Sequence, residues 1–418
     1  MAGSSFPRRF VLAAAAIGLL ARLAFGLLYW IGEPLNRDEV EYLSLARNLA
    51  AGRGYDFDEH VKNGPVVPFG RAPGYPAFLA LTGGGGDSFD ALPATVKIAQ
   101  AMAGAAGVWL IAVAAFRLGG RTPAMAAAAI AALHPPLTWI AGYAYSEAIF
   151  WPIGLGLALG ASRMLDRSKP DHRLAVAIGL LAGVAILVRA ATLLFVPIAL
   201  AWMLWKRQPR IAAAFSLGLV IVLGPWTARN VAVHGRFVLV ASDGGVTFWT
   251  GNNALATGEG DMAANPHLKL ANQALRRANP GLTEEELEPI YYRESVGWIL
   301  EHPGAFAWLV VKKAFYTVVP IGPSYRLHST KYYLASVVTL VVLVPLAIFG
   351  GWRLGTRRGR LPGMWLLAAA AVATCLVFFP QERFRIPVID PALILLASGA
   401  FMRPGQDAAD EAVIQRVA

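Results

Sequence analysis

Charge is scarce in this chain. Of its 418 residues only 15% are Asp, Glu, Lys or Arg, while 56% are hydrophobic. A soluble domain carries about a quarter charged residues, so the composition excludes an ordinary water-soluble globule. Long apolar runs in lipid must satisfy their backbone internally, which makes a bundle of membrane helices the default structure. Cysteine is nearly absent. The single Cys375 lies inside an apolar run, so there is no internal disulfide and no cysteine-based metal site. Acids are few, 26 against 37 Lys and Arg, for a net charge of +11. Such a balance can signal nucleic acid. Here the cations cluster between apolar segments, as in the cytoplasmic loops of membrane proteins, and no nucleic-acid partner is expected. A nucleotide loop is missing too. Gly83-Gly84-Gly85-Gly86 lacks the Lys-Ser/Thr of a phosphate-binding loop, runs into Asp87, and reads as a flexible turn.

What is present is a succession of apolar segments. A helix needs about 20 residues to cross the hydrocarbon. Candidate spans are 10–31, 92–117, 122–141, 146–165, 174–190, 191–205, 210–227, 331–352, 361–379 and 386–402. The first follows Arg8-Arg9 and is too long for a signal peptide, so it reads as an uncleaved span. Arg22 interrupts it. An intramembrane charge is a functional candidate; the alternative is snorkelling, or contact with a neighbouring helix's carbonyls. The positive-inside rule puts Arg117, Arg121, Arg163–Arg173, Lys206-Arg207 and Arg353–Arg360 inside. The segment 302–320 is apolar but carries Lys312-Lys313, and a crossing there would put Arg353–Arg360 outside. It therefore reads as an outer-surface or re-entrant helix. The expectation is an all-α polytopic membrane protein of about ten spans with both termini inside. Residues 1–403 form one membrane domain, with outer loops at 32–92 and 228–331 that carry amphipathic helices. Residues 404–418 form a polar cytoplasmic tail.

The first outer loop opens with Asn36-Arg37-Asp38-Glu39-Val40-Glu41-Tyr42. Asn36 and Glu39 have capping-box spacing and Gly52 suits a helix end, so the spacing predicts a helix over 37–51. Acids in a first turn favour the helix macrodipole without any chemistry. The same placement puts carboxylates at the mouth of a lipid-facing cavity, where one could take a proton from an attacking hydroxyl. Downstream, Gly70-Arg71-Ala72-Pro73-Gly74-Tyr75-Pro76 fixes a turn before an apolar run. Arg71 sits where that turn meets the bilayer surface. Its guanidinium can fork onto phosphate oxygens, or serve as an anchor for lipid headgroups. His134-Pro135-Pro136 reads as a helix stop. His60, His234, His267, His302 and His328 lack metal spacing. The run Glu284-Glu285-Glu286 to Glu288 reads as a solvated helix start.

The order Asp-Glu-x-x-Tyr, then Arg-x-Pro-Gly-Tyr-Pro-x-Phe-Leu-Ala, resembles GT-C glycosyltransferases of family 39 type. These include protein O-mannosyltransferases and lipid A aminoarabinose transferases. The likeness is strongest to shorter bacterial relatives with an RgtA/B/C/D-like domain. It continues through Tyr145-Ser146-Glu147, Pro225-Trp226-Thr227-Ala228-Arg229-Asn230, Gly251-Asn252-Asn253 and Glu382-Arg383-Phe384-Arg385, and covers nearly the whole chain. Larger members often carry an added C-terminal soluble domain; none is expected from this sequence.

The resemblance implies a GT-C bundle in a bacterial inner membrane, with its site on the extracytoplasmic face. The donor would be a polyprenyl-phosphate sugar. The acceptor would be a glycolipid, lipopolysaccharide or protein on that face, and direct displacement would invert the anomeric carbon. Asp38 is implied as the base, with Glu39 and Glu147 completing a catalytic set. Arg71 is implied at the donor phosphate; charge and location add Arg383 and Arg385. Tyr42, Tyr75, Arg229, Asn230 and Asn252 would line the pocket. Some GT-C enzymes hold a divalent cation, for which Asp38, Glu39 and Glu147 would serve; family 39 members are not thought to need one, so no metal is assigned. The rival reading is a transporter or lipid flippase, which would place its ionisable groups near the bilayer midplane.

Overall fold

The apolar runs close into helices, and no strand occurs among the described residues. The computed structural model describes residues 5–57, 70–86, 90–165, 171–260, 262, 264–319, 321, 322 and 329–402. The expectations for His60, Asp87, Arg167, Lys169, His328 and the tail after 402 lie outside them. In chain order the helices are α1 (Arg8–Ala24, prolonged by a π turn to Tyr29), α2 (Arg37–Ala50), α3 (Gly74–Leu81), α4 (Ala94–Gly119), α5 (Arg121–Leu133) and α6 (Pro135–Trp139). Next come α7 (Glu147–Leu165), α8 (His172–Val188), α9 (Phe195–Trp205), α10 (Pro209–His234), α11 (Gly244–Gly251) and α12 (Pro266–Ala278). The chain ends with α13 (Glu284–Glu301), α14 (Pro303–Val318), α15 (Thr330–Leu354), α16 (Pro362–Val377), α17 (Glu382–Arg385) and α18 (Ile389–Ser398).

This is a multi-pass membrane protein. Five helical stretches are long and apolar enough to cross a bilayer: Arg8–Tyr29, Ala94–Gly119, Glu147–Leu165, Pro209–His234 and Thr330–Arg360. The α5–α6 pair, bent by 60°, makes a sixth. Ten spans are expected from the sequence; the other four segments, His172–Val188, Ala190–Trp205, Pro362–Val377 and Ile389–Phe401, are shorter apolar helices. There is a physical reason for some of the shortness. Helix α8 stops at Arg189, whose backbone turns extended, and the Arg189 guanidinium reaches the Glu147 carboxylate at the start of α7, 2.7 Å away. Helix α14, 16 residues long, covers most of the 302–320 segment.

The third expected span is broken rather than continuous. His134 precedes a proline, which disfavours the helical conformation, and its backbone is extended. Pro135 and Pro136 also have no N–H to offer the carbonyls of Ala131 and Ala132, their partners in an unbroken helix. Arg22 supplies the missing donors. Its guanidinium hydrogen-bonds the Ala131 and Ala132 carbonyls at 3.2 and 3.4 Å, and Gly18 in its own helix at 2.8 Å. Of the two readings of Arg22, contact with a neighbouring helix's carbonyls is the one the structure shows. Lys313, inside the 302–320 segment, does similar work. It is buried, and its ammonium donates to the Leu376 carbonyl at the end of α16 and to Asn252 Oδ1, at 3.1 and 2.8 Å.

Small residues let the helices close. At the α8–α10 crossing, a Cβ on Gly179 would lie 2.0 Å from the Phe215 carbonyl oxygen, and one on Gly218 would lie 2.2 Å from that of Val176. Backbones in direct contact are the usual solution where lipid provides no hydrophobic drive between helices.

Candidate functional site

The site begins at the first turn of α2. Asn36 Oδ1 accepts the Glu39 amide at 3.2 Å, and Glu39 Oε2 accepts the Asn36 amide at 3.0 Å, which completes the capping box. Helix α2 then ends near Gly52, whose φ of +69° is the left-handed turn that glycine tolerates. The second oxygen of Glu39 accepts the Ala144 amide at 2.7 Å, tying α2 to the chain ahead of α7. Both of its oxygens thus serve backbone amides, and the side chain is buried.

Asp38, one residue earlier, turns the other way. One oxygen meets Arg71 Nη2 at 2.8 Å and the other meets Arg383 Nη1 at 2.7 Å. Arg71 comes from the turn before α3 and Arg383 from the short helix α17. Burial by itself would raise the Asp38 carboxyl, but the two guanidiniums outweigh it and hold the group well below the usual carboxylate range. Arg71 also contacts Glu41 at 2.6 Å and stands over the Tyr42 ring, 5.1 Å from its centre. Tyr42 meets Tyr75 edge-on at 5.0 Å, and Tyr75 donates to Gln100.

A second charge pair lies close by. Glu147 and Arg189 are joined to the first group through rings. Arg383 lies over Tyr145 and Phe384, at 4.9 and 5.2 Å, and Arg189 lies over Phe384 at 5.2 Å. Phe384 therefore makes cation–π contact with both arginines, each of which keeps its own carboxylate partner.

Asp38, Glu41, Arg71 and Arg383 form one wall of a cavity of about 610 Å³. The other wall comes from α11 to α13 and their connections: Asp243, Thr247, Asn272, Arg276, Asn279 and Glu284. Arg276 is paired with Glu284 at 2.5 Å. The cavity is lined by polar and apolar groups alike, carries charges on both sides and is balanced in sign. Paired guanidiniums of this kind recognise phosphate oxygens by direct charge-assisted hydrogen bonds.

Other residues expected at the site are placed elsewhere. Arg385 points away from Arg383, into a buried cluster with Asp390 at 2.7 Å; His134 meets the other oxygen of Asp390 at 3.0 Å. Arg229 lies over Trp226 and donates to the Tyr55 carbonyl. Asn230 donates to the Val238 carbonyl, and Asn252 is engaged by Lys313. The Glu-rich start of α13 is less solvated than expected. Glu285 is buried beside His234, and Glu288 accepts the Gly245 amide at 3.1 Å. Asp38, Glu39 and Glu147 do not converge on one point, and no group of three or more His, Cys, Asp or Glu with metal-holding geometry occurs among the described residues.

Residues at the site that the motifs left unassigned are Glu41, Arg189 and Asp243. Glu41 follows Asp38 at helical spacing, a signal that was available. Arg189 had one as well, as a cation between two short apolar runs. Asp243, ahead of two glycines, reads only as a turn.

No protein-family model and no curated protein sequence matches the chain. Solved structures do. The archaeal oligosaccharyltransferase AglB from Archaeoglobus fulgidus, in complex with an inhibitory peptide and a dolichol-phosphate, superposes with a TM-score of 0.56 at 14% identity. That alignment covers 95% of this chain and 50% of AglB. A second structure of the A. fulgidus enzyme, with Zn and sulfate, gives 0.54 at 14% identity over 98% of this chain and 49% of that one. ArnT from Cupriavidus metallidurans bound to undecaprenyl phosphate gives only 0.40, at 15% identity over 95% and 77%. The chain spans about half the length of AglB, and the likeness shows the fold: a membrane bundle of the GT-C type.

Proposed function

We propose that the chain is a glycosyltransferase that moves a sugar from a polyprenyl-phosphate donor to an extracytoplasmic acceptor, with inversion at the anomeric carbon. The observation that carries this reading is the pair of guanidiniums, Arg71 and Arg383, held across Asp38 at the wall of a cavity of about 610 Å³. A departing lipid phosphate gains negative charge as the glycosidic C–O bond breaks. Fixed cations aimed at that charge stabilise the transition state more than the ground state. The fold agrees, since the AglB structure that shares it holds a dolichol-phosphate. The reading needs no cofactor, because Arg71 and Arg383 supply the positive charge.

As base, Asp38 could take a proton only after an arginine leaves it. Donor phosphate would compete for both. Glu147 and Arg189 are assigned to the same centre, where they fix Phe384 and through it Arg383.

Orientation follows from the alternation of basic loops. Counting the bent pair and the four shorter helices, ten segments cross. This order brings Asp38, Tyr145, Glu147, Arg189 and Arg383 to one end of the bundle, where the structure has them in contact. With the N-terminus inside, that end faces out. Single cysteines at Arg37 and Arg236, in a Cys375→Ser background, should then react with a membrane-impermeant maleimide on intact cells. A cysteine at Arg358 should react only after permeabilisation. Labelling of position 358 from outside would reverse the orientation.

The function itself is tested by mass spectrometry of envelope glycolipids, lipopolysaccharide and glycoproteins from a deletion strain. The expected result is loss of one sugar from one acceptor class, restored by the wild-type chain. An unchanged set of envelope glycans, together with no binding of undecaprenyl phosphate by the purified protein, rejects the proposal.

A further inference from the structure

The site holds a carboxylate that its ion pairs do not use. Asp243 lines the same cavity as Asp38, Glu41 and Arg71. It occupies the residue before α11, where an aspartate ordinarily accepts a hydrogen bond from the helix's first amides. Its side chain makes no such bond. Among the described residues it forms no ion pair and accepts no hydrogen bond from another side chain; its own backbone amide is its hydrogen-bond partner. Its backbone, by contrast, is fixed. The Asp243 carbonyl accepts Thr247 N and Oγ1 at 3.1 and 2.6 Å. Behind it, α13 presses on the two following glycines. A Cβ on Gly244 would lie 2.8 Å from the Tyr292 hydroxyl, and one on Gly245 would lie 2.7 Å from the Glu288 backbone carbonyl oxygen. The Asp-Gly-Gly sequence thus lets a helix close against the loop and leaves the carboxylate on the cavity side.

The contrast with Asp38 is chemical. Both Asp38 oxygens are saturated by guanidiniums, which depress its basicity. Asp243 faces Arg71, Asp38 and Glu41 across the cavity, with Tyr55 also near and Glu288 and Tyr292 behind it. Burial is the largest influence on it and raises its carboxyl above the ordinary range, although Arg71 and a hydrogen bond from its own backbone amide work in the opposite direction. A carboxylate that lies at the cavity, has no ion-pair partner and is more basic than usual suits a general base.

We propose that Asp243 accepts the proton of the attacking acceptor hydroxyl, and that Asp38 serves the reaction as a positioning residue for Arg71 and Arg383. The inference rests on the donor reading above. The acceptor oxygen forms its bond to the anomeric carbon as the bond from that carbon to the phosphate oxygen breaks. The electron pair of the broken bond leaves with the polyprenyl phosphate, and the hydroxyl proton passes to an Asp243 oxygen and then to water.

The test compares Asp243→Asn, Asp243→Glu and Glu288→Gln, as full-length chains in a deletion strain, with binding of undecaprenyl phosphate to each purified protein. Loss of a general base lowers rate by about 10²–10⁴-fold. Asp243→Asn should lose transferred sugar on that scale and bind undecaprenyl phosphate as wild type does, while Asp243→Glu recovers part of the transfer. In spheroplasts, wild-type transfer should fall as external pH drops through the raised Asp243 range. Residual transfer in Asp243→Asn should lack that acid limb, and Glu288→Gln should keep it. Wild-type transfer by Asp243→Asn, loss of the acid limb in Glu288→Gln, or loss of undecaprenyl-phosphate binding in both Asp243 variants overturns the assignment. Failure of the wild-type protein to bind undecaprenyl phosphate sinks the donor reading instead, and this inference with it.

Discussion

Asp38→Asn should reduce sugar transfer by about 10²–10³-fold, the scale for loss of one element of preorganised charge, while the protein accumulates and inserts normally. Asparagine keeps the size of the side chain but not its charge. In the wild-type protein the carboxylate holds Arg71 at 2.8 Å and Arg383 at 2.7 Å. Without it the two guanidiniums repel each other across the gap. Two like charges at 4 Å interact by about 4 kcal/mol at an effective dielectric near 20, and less here because all three side chains keep some exposure. The arginines then separate, and a phosphate can no longer meet both. Glu39→Gln is the control. It weakens the capping box, worth about 1 kcal/mol, and the bond to the Ala144 amide, so it should lower stability more than transfer. Envelope product per unit of membrane-inserted protein, measured at matched expression, decides between them. Near-normal product from Asp38→Asn would remove this carboxylate from the site altogether. Undecaprenyl-phosphate binding separates its roles: binding changes if Asp38 positions the arginines and is preserved if it only receives a proton.

The local features of this site were legible in the sequence and the pairings were not. The capping box and Gly52 delimit α2 to within a residue of its observed end, because both signals act through backbone amides close in sequence. The same box explains why Glu39 and Asp38 diverge: position N3 must fold back to the N-cap, and its predecessor cannot. Arg383 and Arg385 carry the same charge two residues apart, and charge alone assigned both to phosphate. On the short helix α17, residues two apart face different ways, so only Arg383 reaches Asp38 while Arg385 is drawn to Asp390. The break at His134 is visible as a Pro-Pro pair, yet the chain resumes as α6 because Arg22 satisfies the carbonyls that the prolines leave open. Nothing near Arg22 in the sequence announces that partner. Asp243 was hidden for a similar reason. Its importance lies in which side chains fail to reach it, and that is settled only when α2, α11 and α13 are assembled.

Arg71→Ala should cost more than Asp38→Asn, and Arg71→Lys should recover part of the loss. Arg71 has three attachments: Asp38 at 2.8 Å, Glu41 at 2.6 Å, and the Tyr42 ring beneath it. Removing the guanidinium leaves Glu41 without this partner, its other ion pair being to Arg37 on the exposed flank of α2 at 3.2 Å. Asp38 keeps only Arg383. The wall that should attract a phosphate, balanced in the wild type by two carboxylates and two guanidiniums, then keeps two carboxylates and one guanidinium and becomes net negative. Donor affinity and transfer should both fall, transfer by more than about 10³-fold given that one oriented cation is lost and one anion uncovered. Lysine restores charge, but a single ammonium lacks the planar fork that meets Asp38 and Glu41 together. A further substitution follows from the same geometry. Glu41→Gln in the Arg71→Ala background removes the uncovered anion and should raise undecaprenyl-phosphate binding above that of Arg71→Ala alone. Titration of undecaprenyl phosphate against the purified variants measures it. Equal affinity in wild type and Arg71→Ala would take Arg71 out of the phosphate site, and no gain from the added Glu41→Gln would show that charge at this wall does not govern donor binding.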